Sequence, residues 1–316
     1  MALFHIMGRN FSGAAKNIFR LIRQLDQRKL EPALVGQIEN ELTSRTEAIG
    51  VRVFIVPFPS GLAVYDGGLL RAGPWELLAA IRGAARYNLA LVDFLRHSYS
   101  PQVIWCDNIR TFFTVYFAAR ACGCKLILNV WAEPSGKVAW ILFRTALFLA
   151  DVITLEYYGQ APKVFGRAAR WAWCARKLVP LYSGCTDFET PQDTDIRREL
   201  GLAKDSVLVI MTANIVSGKG QLDLIRASEA LFHQYPQYRL LLAGRPLESH
   251  PSSLAYDQEI RDSIEQSSLT ENARLLGWRA DVNDVLHDAD IYVSSSYTEG
   301  LSAAIREAMS AGKPIV

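Results

Sequence analysis

The chain has 316 residues, of which 50% are hydrophobic and 21% charged. That balance excludes a disordered or fibrous protein, and the length suits two domains of common size. The net charge of +2 hides an asymmetry: residues 1–180 carry 22 Lys and Arg against 12 Asp and Glu, and the remainder carries 12 against 20.

Leu3-Phe4-His5-Ile6-Met7 reads as a first strand. A glycine-bearing loop from Gly8 to Gly13 follows, and then Ile18, Leu21, Ile22 and Leu25 recur at helical spacing. Strand, glycine loop and helix open a nucleotide-type βαβ unit, although Gly8 and Gly13 do not make the G-x-G-x-x-G dinucleotide fingerprint. Further strands are expected at residues 33–35, 51–56, 103–106, 125–129, 152–155 and 178–180, with helices over 75–96 and 112–121. Residues 57–74 are rich in Gly and Pro without an apolar period, so they read as a long loop and a candidate acceptor-binding segment. Arg144 divides the most apolar stretch, residues 138–155, into pieces too short to span a bilayer; a buried helix followed by a strand is expected there. Residues 163–177 mix Lys163, Arg167, Arg170, Arg176 and Lys177 with Trp171 and Trp173. As one helix they would either dock on an anionic membrane surface or turn their Trp rings inward.

The second half repeats the alternation, with strands at 207–211, 239–244, 274–276 and 290–294 and helices from Leu222 and over 254–266. The whole pattern predicts an α/β protein with parallel sheets in two domains, residues 1–182 and 203–316, joined by a linker at 183–202. The basic first half could face anionic lipid, nucleic acid or a phosphorylated acceptor, or the two halves could attract across a cleft. Cys106, Cys122, Cys124, Cys174 and Cys185 are odd in number and scattered, and Cys122 stands too close to Cys124 for a zinc knuckle. They read as reduced thiols of a cytoplasmic protein, and no signal-peptide pattern opens the chain.

Two stretches carry chemistry. In residues 213–220, Lys219 stands between Gly218 and Gly220 at a strand-to-helix junction, a good place for a diphosphate. It is not a P-loop, because position 213 is Ala and position 220 is Gly. The other stretch runs from Glu299 to Met309. Glu299 falls in a loop at the carboxyl end of a strand, where an open α/β sheet binds its ligands. Glu307 falls within the helix that follows, which stops at Gly312 before Pro314. Gly300 lets a ligand approach the backbone, and the free N–H groups of the helix start suit a phosphate.

The ordered set Gly277, Asp281, Asp290, Ser294, Glu299-Gly300, Glu307-Ala308-Met309 and Gly312-Lys313-Pro314 resembles the sugar-nucleotide site of retaining glycosyltransferases of family four, the glycosyl transferases group 1 class. The resemblance implies the GT-B fold, two Rossmann-like domains facing across a cleft. The second would be incomplete at the C-terminus, since the chain stops at Pro314-Ile315-Val316 inside an expected strand. It implies transfer of a sugar from a nucleoside-diphosphate sugar to an acceptor hydroxyl, with retention, without a cofactor and without a metal. By resemblance Lys219 holds the leaving diphosphate, Glu299 orients the sugar and Glu307 meets the ribose hydroxyls. Gly300, Leu301 and Ser302 contact the donor, Gly277 and Trp278 the base, and Gly13 faces the donor phosphates. Trp131 stands where many members have a histidine, with Glu133 close by on the acceptor side, and Asn214 stands where they have an arginine. The acceptor would be a glycan, a lipid-linked sugar or a small molecule, with a peripheral membrane contact and no nucleic acid. A sugar-nucleotide epimerase of the same fold and a weak or inactive relative that binds nucleotide or a partner are the alternatives.

Overall fold

Among the described residues (1–5, 13–58, 73–131, 133–134, 136–182, 184, 195–248, 250–267 and 269–316), the computed structural model forms two parallel sheets. They lie in separate units, Met1–Ser183 and Gly184–Val316. The first sheet contains β1 (Ala2–His5), β2 (Pro32–Gly36), β3 (Arg52–Ile55), β4 (Val103–Cys106), β5 (Lys125–Val130), β6 (Val152–Leu155) and β7 (Leu178–Pro180), in the order β3-β2-β1-β4-β5-β6-β7. The second contains β8 (Val207–Thr212), β9 (Tyr238–Ala243), β10 (Ala273–Gly277) and β11 (Ile291–Tyr292), in the order β10-β9-β8-β11. Parallel bonding continues past β11: the Tyr292 N–H donates to the Pro314 carbonyl and the Ser294 N–H to that of Val316.

Both sheets are covered on both faces, which is why their strands read as apolar runs. Leu3, Ala33 and Val35 face one core of the first sheet, and Phe4 and Leu34 face the other. Met211, Leu240 and Leu242 pack on one side of the second sheet, and Leu208, Ile210 and Leu241 on the other. Each sheet reverses its strand order once, between β1 and β4 and between β8 and β11. Such a reversal opens a crevice at the carboxyl ends of the strands.

Two expectations need correction. The helix Lys137–Leu149 buries only Phe143, Ala146 and Leu147; Val138, Ile141, Leu142 and Phe148 are exposed, so it is not a buried helix. Residues 163–177 are not one helix either. The helix Gln160–Phe165 gives way to a 3-10 segment, Gly166–Arg170, and a short helix, Ala172–Ala175. Gly166 takes the left-handed φ of 60° at the first junction and Trp171 is extended at the second, so the continuous spiral is broken twice. The rings of Trp171 and Trp173 face outward, not inward. Most of the long loop expected at 57–74 lies outside the described residues, as do Cys185 and the glycine loop before Gly13. Among the described residues no helix is long and apolar enough to cross a membrane.

Candidate active site

The loops after β8 and β11 meet because those strands are neighbours and parallel. After β8 the chain makes a 3-10 turn, Ser217–Lys219, passes through Gly220 at φ 70° and enters the helix Gln221–Gln234. Gly220 is required twice over. Its φ is left-handed, and a Cβ there would stand 2.2 Å from the Ser295 carbonyl oxygen. The Ser295 hydroxyl donates to the Lys219 carbonyl (2.9 Å), the Tyr297 N–H donates to the Gly218 carbonyl (3.1 Å), and the Tyr297 hydroxyl donates to Asp223. Across this seam the Lys219 ammonium pairs with Glu299 Oε1 at 2.5 Å, with both side chains about a quarter exposed.

Ser302 caps the helix Ala303–Ser310, accepting weakly from the Ile305 N–H at 3.5 Å. Gly300, Leu301 and Ser302 form the approach to this helix start, and Glu307 lies one turn further in, half-buried. Burial pushes the Tyr292 phenol above its usual range, and the carboxylates of Glu299 and Glu307 push it the same way. Lys219 and the helix start can hold a dianion, and carboxylates such as those of Glu299 and Glu307 can accept from hydroxyl groups.

Gly277, at φ 66°, ends β10, and Trp278 beyond it is exposed. The Arg245 guanidinium stands over its ring, 5.7 Å from the centroid. Other members of the motif serve the scaffold. Asp281 binds Arg279 (2.7 Å), which also pairs with Glu199, and this holds its carboxyl below the usual range. Asp290 accepts from the Leu208 N–H (2.7 Å) and from Arg197 (2.5 Å), and Lys313 caps the helix Val282–Asp288 at the His287 carbonyl (2.6 Å).

The expected residues of the first unit lie along its own sheet. Gly13 begins the helix Gly13–Gln24. Trp131 follows β5 and packs on the core formed by Phe4, Ile18 and Ile22, with no hydrogen-bond partner for its indole N–H among the described residues. Glu133 is exposed and pairs with Lys163 at 3.0 Å and the Tyr157 hydroxyl at 3.2 Å. At the carboxyl end of β1, buried His5 bonds to the Tyr87 hydroxyl, and burial lowers its imidazole to about 4.

Residues 192–316 match the family model described as glycosyl transferases group 1. The chain is 27% identical over 121 residues to the putative glycosyltransferase EpsD of Bacillus subtilis (strain 168), a match covering 38% of this chain and 30% of EpsD. It is 24% identical over 194 residues to the putative teichuronic acid biosynthesis glycosyltransferase TuaC of the same organism, covering 60% and 43%. The chain thus spans less than half the length of the curated relatives it matches. Among solved structures, Anabaena HepE in complex with UDP and glucose superposes with a TM-score of 0.77 over 99% of this chain and 79% of that one, at 18% identity. That likeness shows the fold, which is GT-B.

Within residues 192–316, sequence reasoning missed the residues that stitch the two loops together: Ser295, Tyr297 and Asp223, with Gly220 at the point of closest approach. It also missed Gly244, where a Cβ would stand 1.8 Å from the Ala213 carbonyl oxygen. The glycines at 218 and 220 were the available signal; Ser295 and Tyr297 carry none, because each acts through a partner far along the chain.

Proposed function

We propose that this chain is a glycosyltransferase that moves a sugar from a nucleoside-diphosphate sugar to an acceptor hydroxyl with retention of configuration. The observation that carries this reading is the Lys219–Glu299 pair at the β8/β11 reversal, with Glu307 in the helix that follows the β11 loop. When donor enters, Lys219 exchanges Glu299 for the diphosphate, Glu299 turns to the sugar hydroxyls and Glu307 accepts from the ribose hydroxyls. The bond from sugar C1 to the phosphate oxygen breaks, and negative charge develops on the diphosphate. Lys219 and the N–H groups near Gly300–Ser302 stabilise that charge, so the reading requires no metal. The acceptor oxygen attacks from the same face, and its proton passes to the departing phosphate.

Uridine diphosphate is the proposed carrier, supported by the UDP and glucose held by HepE on the same fold. Trp278, with Arg245 over its ring, is the proposed platform for the base. The acceptor is a glycan, a lipid-linked sugar or a small molecule, met in part by residues near Trp131 and Glu133. Free thiols at Cys106, Cys122, Cys124 and Cys174 fit a cytoplasmic setting. The expected result is a thermal shift with UDP or UDP-glucose that GDP and ADP do not match and that Glu307→Ala abolishes. Lys219→Ala and Glu307→Ala should each raise the barrier to transfer by about 2–4 kcal/mol without changing the melting temperature. Full transfer activity in both variants would rule out the assignment. The anomer seen by NMR tests retention, and transfer unchanged by a chelator tests the metal-free reading.

Asn214 favours a second reading. It is exposed at the start of the diphosphate loop and brings no charge where the resembled family has an arginine. A chain that binds UDP-glucose but neither transfers nor hydrolyses it would fit that reading. Interconversion of the sugar without an acceptor would instead identify an epimerase.

A further inference from the structure

The helix Lys137–Leu149 has two apolar faces. One carries Phe143, Ala146 and Leu147 into the core of the first unit. The other carries Val138, Ile141, Leu142 and Phe148, at helical spacing and 40, 63, 37 and 47% exposed. Thr145 interrupts this outer stripe, but its hydroxyl donates to the Ile141 carbonyl at 2.9 Å. A helix that is apolar all round is normally covered on all sides.

The two exposed tryptophans extend the stripe. The Phe148 ring stacks on Trp173 at 5.9 Å and lies 6.3 Å from Trp171. These rings are 58% (Trp171) and 53% (Trp173) exposed, yet Trp173 is held in place. The Lys177 ammonium sits 3.7 Å from its centroid and donates to the carbonyls of Phe148 (3.1 Å) and Ala150 (2.8 Å) at the helix end. Burying an aromatic side chain is favourable; the fold instead fixes Trp173 in an outward position.

The charge around the stripe has one sign. Lys137, Arg144, Arg167, Arg170 and Arg176 are exposed. Residues 137–177 contain two acids. Asp151 is taken by Arg120 at 2.8 Å and Lys125 at 3.4 Å, and Glu156 is buried. A second copy docked face to face would set these cations against themselves, and residues 137–177 offer no exposed carboxylate to separate them. An anionic bilayer offers phosphate to the guanidinium groups and an apolar boundary to the stripe. It also offers a wet interface where indole N–H groups find partners.

We propose that this face, Val138, Ile141, Leu142 and Phe148 with Trp171 and Trp173, docks the first unit on an anionic lipid bilayer. The helix lies along the interface, with the surrounding arginines at headgroup level. The docking stands apart from the transfer chemistry and does not depend on it.

Vesicle flotation of the full chain tests the proposal, using phosphatidylcholine alone and equal parts phosphatidylcholine and phosphatidylglycerol. Wild type should float with the phosphatidylglycerol vesicles only, and added salt should weaken the binding. Arg167→Gln and Arg170→Gln should each reduce it about fivefold. Ile141→Ser with Trp171→Ser should reduce it by about tenfold or more, with unchanged melting because both side chains are exposed. Failure of wild type to bind anionic vesicles would overturn the proposal, as would equal binding by both sets of variants. A wild-type dimer in light scattering that Ile141→Ser splits, without lipid binding, would assign the face to a second copy instead.

Discussion

The two sheets each reverse their strand order once, and the chemistry at the two reversals differs. At β1/β4 the polar groups are locked inside: His5, 1% exposed, bonds to Tyr87, and buried Asp107 accepts from Thr111 and Asn108. At β8/β11 a lysine and a glutamate pair at 29% and 26% exposure. A partly solvated ion pair contributes little to stability, so a ligand can replace it at small cost. A buried hydrogen-bonded network has no such freedom, since opening it leaves unsatisfied groups. The first edge is closed by buried bonds, and the second carries a partly solvated ion pair.

Gly220→Ala should break this contrast most severely. The alanine would need φ 70°, and its Cβ would stand 2.2 Å from the Ser295 carbonyl oxygen. Left-handed strain and overpacking together predict about 2–5 kcal/mol of lost stability. Denaturant melts and a UDP titration check this; both unchanged would show that the two loops need not be joined.

The first edge should fail in acid. Burial holds the folded imidazole of His5 down to about 4, against an ordinary 6.5. Below 6.5 the unfolded chain takes up a proton that the folded chain refuses, so stability falls as pH drops and levels off near 4. The loss across that window is about 3 kcal/mol, and urea melts of His5→Gln should lack that limb of the profile. The smallest effect is expected from Tyr297→Phe, which removes only an exposed hydroxyl bond to Asp223. It should leave the denaturation midpoint nearly unchanged and weaken UDP binding less than fivefold.

Much of the fold was legible because its strands are buried on both faces and stand out as apolar runs. The strands at 103–106, 152–155 and 178–180 have the expected bounds. The motif also located the β8 and β11 loops and the helix after them. It did not separate site from scaffold: Asp281, Asp290 and Lys313 share the pattern, yet their side chains brace helices and strands. Residues 137–149 misled for another reason. An apolar composition states how much surface should be covered, not which face the fold leaves open.

The sequence by itself determined the α/β alternation and the two apolar-lined sheets, and it placed Lys219 and Glu299 in loops at strand ends. Local periodicity and glycine placement are short-range properties, so one chain displays them. Only the tertiary structure decided that β11 lies beside β8, which brings Lys219 and Glu299 together across 80 residues. Strand adjacency depends on how helices cover both faces of a sheet and which edges remain free. No local pattern encodes that choice, and the meeting of the two charges follows from it.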